Sequence, residues 1–350
     1  MVVLLISACG SIGPSSVPRD RIGYVDAVAD SWKEQTLLNI VRLRYGDAPS
    51  FLDVSSVISA YTFQGNVAAG AQFSSDLTST IPRDLATVGA GASYQDRPTI
   101  SYTPLSGSKF ARSLLEPLPP SQVFELIQAG YPSDGVLQVT VRAINGIYNR
   151  SGMGGRGRDA DPAFYPLLDA LRRLQQSGAV SLRLDTRNGT QTGTLILSDK
   201  VAGAAADDLR FVARTLGVRL NAGGELVIVF GLLPRAPNEI AVLTRSMLEM
   251  LVEIAAGIDV PADHIAAGRT PASTRQDDAA NERDRPLVRV HSGTSRPAIA
   301  YSAVRYGDTW YWIEDTDFRS KRTFASLMLF FSLAETGVAP QVPVLTVPAS

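Results

Sequence analysis

An alternating stretch at residues 62–104 constrains the fold of this 350-residue chain more than any other feature. Apolar or small residues occupy every second position in three runs, at 63–73, 86–94 and 99–103, with mostly polar residues or glycines between them. A period of two is that of a β-strand, in which successive side chains point to opposite faces. The stretch is therefore predicted to form three antiparallel strands, each with one weakly apolar face and one small, polar face.

Helical and strand periods both recur in the rest of the chain. The predicted helices are 24–45, 106–116, 121–130, 162–177, 205–216, 239–256 and 318–334. The predicted strands are 136–143, 180–185, 192–197, 225–232, 287–291, 298–305 and 309–314. An Asn188-Gly189 turn is typical of a tight hairpin between two of these strands. The mixture predicts an α+β fold of mixed helices and antiparallel sheets, with a C-terminal strand-hairpin-helix unit.

The domain organisation follows from shifts in composition along the chain. An α+β body is predicted at 22–268, and it includes the alternating stretch. Residues 269–285 are polar and charged without an apolar period, so they are predicted to form an exposed loop. The strand-hairpin-helix unit is predicted at 286–336, and a proline-rich tail at 337–350.

The composition narrows the classes of function. A formal net charge of −1 gives no electrostatic reason to bind nucleic acid, because a protein that binds a duplex usually carries a basic face. One cysteine cannot form an intramolecular disulfide or a cysteine-based zinc cluster, and two histidines are too few for a histidine-rich metal site. His264 and His291 are each predicted to be structural or surface residues. We expect neither a cofactor nor a metal.

The motifs of catalysis are weak. The glycines at 152–157 match G-x-G-x-x-G, but a dinucleotide fingerprint follows a strand directly, and the nearest predicted strand ends at Ala143. No G-x-S-x-G nucleophile elbow occurs. The acidic pairs each have a structural explanation, such as the start of a helix. The sequence therefore leans against an enzyme and predicts no catalytic residue.

The N-terminus contains a short apolar segment that ends in the single cysteine. The residues at 6–9, Ile-Ser-Ala-Cys, resemble the lipobox of bacterial lipoproteins. The resemblance implies a signal peptide at 1–8, cleavage before Cys9 and attachment of a lipid to the Cys9 thiol. Residues 9–21, rich in glycine, serine and proline, are then expected to form a flexible tether. Gly10, in place of the aspartate of an inner-membrane retention signal, favours the periplasmic face of the outer membrane.

An aromatic and basic segment near the C-terminus is the most distinctive part of the sequence. Its aromatic residues and the cations that follow them form a candidate ligand or partner surface: Trp310, Trp312, Arg319, Lys321 and Arg322. Cations at the start of a helix oppose the helix dipole, so a counter-charge is required. The alternative is aromatic packing in a sheet and an internal ion-pair network with the preceding acids. The segment is similar to a pattern in uncharacterised envelope lipoproteins, which implies no activity.

Three functional hypotheses remain open at this point. The first is a non-enzymatic envelope lipoprotein that serves as an assembly, scaffold or accessory subunit, with a protein partner or in a homo-oligomer. The second is an oligomeric outer-membrane pore built from hairpins at 62–104. The third is a periplasmic enzyme or small-ligand binder, which requires a concave pocket with convergent polar groups.

Overall fold

Two compact units make up the chain. The structure, a computed structural model, describes residues 12–58, 61–72, 85–152, 157–187, 190–197, 203–219, 225–273, 285–335 and 345–348. Unit 1 comprises Met1–Val28, Leu52–Leu105 and Ala339–Ser350, and unit 2 comprises Ala29–Phe51 and Ser106–Val338. The predicted single body at 22–268 therefore divides, because the alternating stretch groups with both chain ends. The α+β class is confirmed, since helices accompany antiparallel sheets and one mixed sheet.

Helix α1 (Ile12–Arg44) is the first element of the described chain. The prediction of a flexible tether at 9–21 does not agree with this helix. Its residues from Ile12 onward are helical, and Pro18 lies inside the helix. Leu37, Ile40 and Val41 are fully buried on the unit 2 part of this helix.

Unit 1 contains the strands predicted from the alternating stretch. The strands of this unit are β1 (Phe51–Ile58), β2 (Tyr61–Gln72), β3 (Leu85–Asp96), β4 (Thr99–Leu105) and β14 (Leu345–Pro348). They form a three-stranded sheet in the order β1-β4-β14 and a two-stranded sheet of β2 and β3. The predicted proline-rich tail at 337–350 is corrected at residues 345–348, which pair antiparallel with β4. A strand edge offers unpaired N–H and C=O groups to such a segment, and Pro348 comes last, where a missing donor is tolerated.

Unit 2 is built on a six-stranded sheet. Its strands are β5 (Val141–Ile144), β6 (Ile147–Tyr148), β7 (Val180–Arg187), β8 (Thr190–Leu197), β9 (Glu225–Phe230) and β10 (Glu239–Thr244). They lie in the order β6-β5-β10-β9-β8-β7, and β9 and β10 are the parallel pair. The predicted hairpin is confirmed as the antiparallel pair β7 and β8. Its Asn188-Gly189 turn lies outside the described residues.

Helices cover this sheet and the neighbouring C-terminal strands. They are α2 (Gly107–Leu115), α3 (Pro120–Gln128), α4 (Ser133–Thr140), α5 (Phe164–Ser177), α6 (Ala204–Leu216), α7 (Met247–Ala256), α8 (Ala262–Ala266) and α9 (Phe318–Glu335). Helix α3 contacts four strands of the sheet, α5 packs between α4 and α6, and α7 contacts α2 and α9. Phe164, Leu167 and Met250 are among the fully buried side chains of this core.

Two predicted elements have the wrong type. The predicted strand at 136–143 is mostly helix α4, whose buried residues Ser133, Val136, Leu137 and Thr140 have the spacing of one helix face. The predicted helix at 239–256 begins as strand β10 and becomes helix only at Met247. Ser246 and Glu249 form a capping box that fixes this start, so the strand residues before it remain free to pair with β5 and β9.

The C-terminal unit largely follows its prediction. Strands β11 (His291–Gly293), β12 (Ser302–Tyr306) and β13 (Thr309–Ile313) form an antiparallel sheet in the order β11-β13-β12, and α9 follows. The first strand begins later than predicted, and the buried residues before it, among them Val288, are not in a strand. The start of the predicted exposed loop at 269–285 is also packed, because Thr270 is buried; residues 274–284 lie outside the described chain.

Within the described residues, the structure has no helix that is both long enough and apolar enough to cross a membrane.

Candidate functional site

The two predicted tryptophans share one face of β13. Trp310 and Trp312 are half-buried, whereas Tyr311 between them is fully buried on the opposite face. The ring of His291 lies 5.7 Å from that of Trp312 at an interplanar angle of 30°. The guanidinium of Arg296 lies 5.5 Å from the centre of the Trp310 ring. The tryptophans therefore have a histidine and an arginine from nearby segments as their neighbours.

The predicted basic residues have other partners. The Lys321 ammonium lies 2.6 Å from Asp315 Oδ1 and 5.4 Å from the centre of the Tyr301 ring. Arg322 is exposed, with its guanidinium 6.0 Å from the Phe318 ring, and Arg319 is half-buried. The Lys321–Asp315 pair supplies part of the counter-charge that the sequence required. Cys9, the predicted lipidation site, lies outside the described residues.

A cluster of aromatic hydroxyls and a histidine lies elsewhere in unit 2. We call Tyr45, His264, Tyr306 and Tyr311 the tyrosine cluster; they come from the end of α1, from α8, from β12 and from β13. The Tyr45 hydroxyl lies 2.6 Å from His264 Nδ1 and 2.5 Å from the Tyr311 hydroxyl. His264 is buried, so of the two predicted alternatives, a structural or a surface residue, it is not a surface residue. The hydrogen bonds tie three chain segments that are distant in sequence.

Burial raises the pKa of two hydroxyls of this cluster, those of Tyr306 and Tyr311. Burial, together with a hydrogen bond to Asp47, raises the pKa of Tyr306 from 10.0 to about 12. Burial and the hydrogen bond with Tyr45 raise the pKa of Tyr311 as well. A phenol whose pKa is raised is a poor general base near neutral pH, because it does not give up its proton. The cluster is thus suited to holding segments together rather than to proton abstraction.

A buried ionic cluster lies under the glycine-rich loop. Arg150, Arg245 and Glu253 are 2%, 3% and 4% exposed, respectively. Arg150 Nε lies 3.3 Å from Glu253 Oε1, and Arg245 Nη2 lies 3.9 Å from Glu253 Oε2. The Gly152 amide donates to Glu253 Oε2 at 2.5 Å. Two buried arginines thus lie close to one buried carboxylate.

A cleft adjoins both clusters. We call it the arginine cleft; it has a volume of about 630 Å³ and is bordered by the C-terminal ends of α1 and α7, by α8 and by the residues that follow α8. Arg44 and Arg269 line it, together with Tyr45 and the backbone of Gly152. Its apolar wall includes Val252, Ala255, Ala256 and Ile265. This is the concave pocket with convergent polar groups that a ligand-binding hypothesis requires.

Arg44 is the least satisfied group of the arginine cleft. Its side chain is buried, and Nη2 donates to the Pro271 carbonyl at 2.7 Å. Its Nε is buried without a hydrogen-bond partner. No carboxylate in the described chain forms a salt bridge with Arg44, and burial lowers the pKa of its guanidinium. Among the described residues there is also no group of three or more histidine, cysteine, aspartate or glutamate side chains that could hold a metal.

Unit 1 contains a candidate site of a different kind, its two-stranded sheet. We call this pair of strands, β2 and β3, the open ladder. Each strand has 12 residues, and they pair in register along their whole length. Val67 pairs with Ala90 and Ala69 with Val88. The neighbouring pair joins Asn66 to Gly91, so apolar pairs alternate with small or polar pairs along the ladder.

Both outer edges of the open ladder lack a strand partner within the described chain. Neither strand contains lysine, arginine, glutamate or proline, and the single charged residue is Asp96 at the end of β3. Natural proteins commonly protect exposed edges with charges or prolines. The open ladder has neither device along its length.

Comparisons with protein-family models, with curated proteins and with solved structures give no match for this chain.

The first prediction concerns Tyr306. The Tyr306→Phe variant should lose one tyrosine that ionises near pH 12 in the ultraviolet titration of the folded protein. Because the pKa is raised above that of the unfolded chain, the stabilising contribution is complete below pH 10 and is lost as the pH rises towards 12. The Asp47→Asn variant should move this ionisation part of the way back, since burial remains. Identical titration curves for wild type and Tyr306→Phe above pH 10 would contradict the assignment.

Proposed function

We propose that this protein is a lipid-anchored envelope lipoprotein that works as a subunit of a homo-oligomeric assembly, joined through the open ladder. The observation that carries the proposal is a ladder of two 12-residue strands whose outer edges have no strand partner in the described chain.

An isolated two-stranded ladder is marginal in water. Three or more strands, or packing against a helix, are normally needed for independent stability. Each outer edge also presents a row of N–H and C=O groups that can pair with another chain. In the three-stranded sheet of the same unit, β14 pairs with one edge of β4. No described strand pairs in this way with an outer edge of the open ladder. A strand from a second molecule would supply what is missing.

A second copy of this chain fits those edges better than an unrelated partner. The two edges belong to different strands, so β2 of one copy can pair with β3 of the next. Such head-to-tail pairing forms a ring when its rotation closes. The apolar and polar positions alternate in the same way in both strands, as at Val67 and Ala90. An additional strand in matching register would therefore continue one apolar face and one polar face across the contact.

The N-terminal sequence supports placement at a membrane. Lipid on Cys9 would anchor the polypeptide, and no spanning helix is then required for attachment. The N-terminal residues Met1–Val28 belong to the same unit as the open ladder. Anchoring would concentrate the copies in two dimensions and favour their association.

A pore is the second candidate function, because of the length and composition of the strands. Strands of about 9–11 residues span a bilayer when tilted. Strands β2 and β3 have 12 residues each, and their single charged residue is at the end of β3. An open edge cannot lie in lipid, since its polar groups would lack partners. A pore therefore requires the same closed ring of subunits as the assembly.

The second prediction compares two neighbouring substitutions in β2. Wild-type protein in mild detergent should have a particle mass that is a multiple of the chain mass. Val67→Asp places a carboxylate in the apolar row and should shift the particle to monomer, because each copy would then add an unpaired charge to the apolar face that the assembled strands share. Asn66→Asp, its matched control in the polar row, should keep the oligomer.

Mass photometry or light scattering measures the outcome, with circular dichroism to show that both variants are folded. A monomeric wild type, or an oligomer that is equally stable in both variants, would refute assembly through the open ladder. If the wild type conducts ions in planar bilayers and Val67→Asp does not, the assembly is a pore. If the oligomer forms without conductance, the pore is excluded and the assembly or scaffold function is supported.

The third prediction tests the anchor. Wild-type protein in a bacterial host should incorporate labelled palmitate and sediment with membranes, and Cys9→Ser should do neither, because a hydroxyl does not replace the thiol in this modification. Ser7→Ala, a small substitution in the same segment, is the matched control and should retain the label. Membrane association of Cys9→Ser equal to that of the wild type would exclude Cys9 as the anchor.

A further inference from the structure

The arginine cleft contains a cation, Arg44, that has no counter-ion among the described residues. Arg44 is 7% exposed, and its Nε has no hydrogen-bond partner. A guanidinium has five N–H donors, and burial without a compensating acceptor is costly. The other hydrogen bonds of this side chain go to the Pro271 carbonyl and the Ser273 hydroxyl, which carry no formal charge. The cleft is therefore lined by a guanidinium whose charge no carboxylate of the described residues compensates.

The charges around the cleft are positive in sum. Arg269 lines it as a second, exposed cation, with its guanidinium 5.8 Å from the Tyr45 ring. The C-terminal ends of α1 and α7 each contribute roughly half a negative charge. Two full arginine charges in the lining exceed that contribution.

The nearby carboxylates are engaged elsewhere or lie outside the lining. Asp47 accepts a hydrogen bond from the Tyr306 hydroxyl. Asp263 is exposed, with an oxygen 4.0 Å from His264 Nε2. Neither residue lines the cleft. Among the lining residues that the structure describes, an anion would thus meet two guanidinium groups and no carboxylate.

We propose that the arginine cleft binds a small phosphomonoester with a short apolar portion. A phosphomonoester carries about −1.5 to −2 charges near neutral pH, which matches two lining arginines better than a single carboxylate does. Guanidinium groups bind phosphate oxygens through charge-assisted hydrogen bonds. The apolar wall at Val252, Ala255 and Ile265 would contact the remainder of the molecule.

The source of the phosphate group is either a soluble metabolite or the headgroup of an anionic lipid. Both present the same chemistry to Arg44 and Arg269. The inference does not depend on the proposed assembly, because the lining residues all belong to unit 2 and the open ladder belongs to unit 1.

The fourth prediction measures binding to the full chain in mild detergent. Isothermal titration with n-butyl phosphate should show saturable binding to wild type, and n-butanol should show none. Arg44→Met should weaken the affinity about tenfold or more, since it removes hydrogen bonds from a charged donor. Arg42→Met is the matched control: Arg42 lies on the same helix and outside the lining, so the affinity should not change.

Arg269→Met keeps the test decisive if Arg44→Met fails to fold, because Arg269 is exposed and its removal leaves the core intact. It should also weaken binding. Flotation with vesicles that contain phosphatidic acid, compared with phosphatidylcholine vesicles, tests the lipid source in the same variants. Binding to either probe that depends on both cleft arginines supports the site, and identifies its source as soluble or lipid. Absence of binding to both probes, or binding unchanged in Arg44→Met and Arg269→Met, would overturn the inference.

Discussion

Hydrogen bonding at the edges of a β-ladder is the constraint on which this account depends. Every strand has N–H and C=O groups on both sides, and in a two-stranded ladder about half of them point away from the partner. Across β2 and β3 those outward groups are not flanked by the lysines or prolines that discourage further pairing. The lack of such protection supports the proposed assembly, because an unprotected edge can pair with a strand of another chain.

Unit 2 buries charged side chains in its interior. Glu253 lies between Arg150 and Arg245, and hydrogen bonds to carbonyl oxygens satisfy further guanidinium donors. Removal of one partner from such a group leaves a buried charge uncompensated, which commonly costs about 3–5 kcal/mol. Arg44 lacks the carboxylate that this cluster has, and it lines an open cleft instead. The contrast between the two arginine environments is what distinguishes a structural cluster from a candidate ligand site.

Local patterns predicted the local structure. Alternation identified β2 and β3, an Asn-Gly turn identified the β7–β8 hairpin, and an apolar run identified α9. The errors arose where two periods overlap. Ile240 to Val242 are apolar and directly precede an apolar helix, so periodicity alone predicts one long helix. The capping box at Ser246 is the signal that the helix begins later. At 345–348, pairing with β4 depends on a strand some 240 residues earlier, which no local pattern records.

The candidate sites were less predictable because they are not local. Tyr45, His264 and Tyr311 come from three distant segments, and their hydrogen bonds appear only after folding. The available signals were weak: a tyrosine and an arginine directly before a helix-ending glycine, and a histidine shortly after Pro261. The segment with Trp310 and Lys321 stood out in sequence, yet in the structure its lysine pairs with Asp315. The same segment leaves its two tryptophans half-buried and Arg322 exposed, so the prediction of a ligand or partner surface there stays a prediction.

Backbone hydrogen exchange tests the central claim most directly. In the assembled particle, nearly all amides of β2 and β3 should be protected, because both sides of each strand are paired. After dissociation, about half of them should exchange rapidly, namely those that point away from the partner strand. Alternating rapid exchange along both strands in the membrane-bound wild type, unchanged when the protein is dispersed to monomers, would show that the outer edges are never paired and would contradict the account.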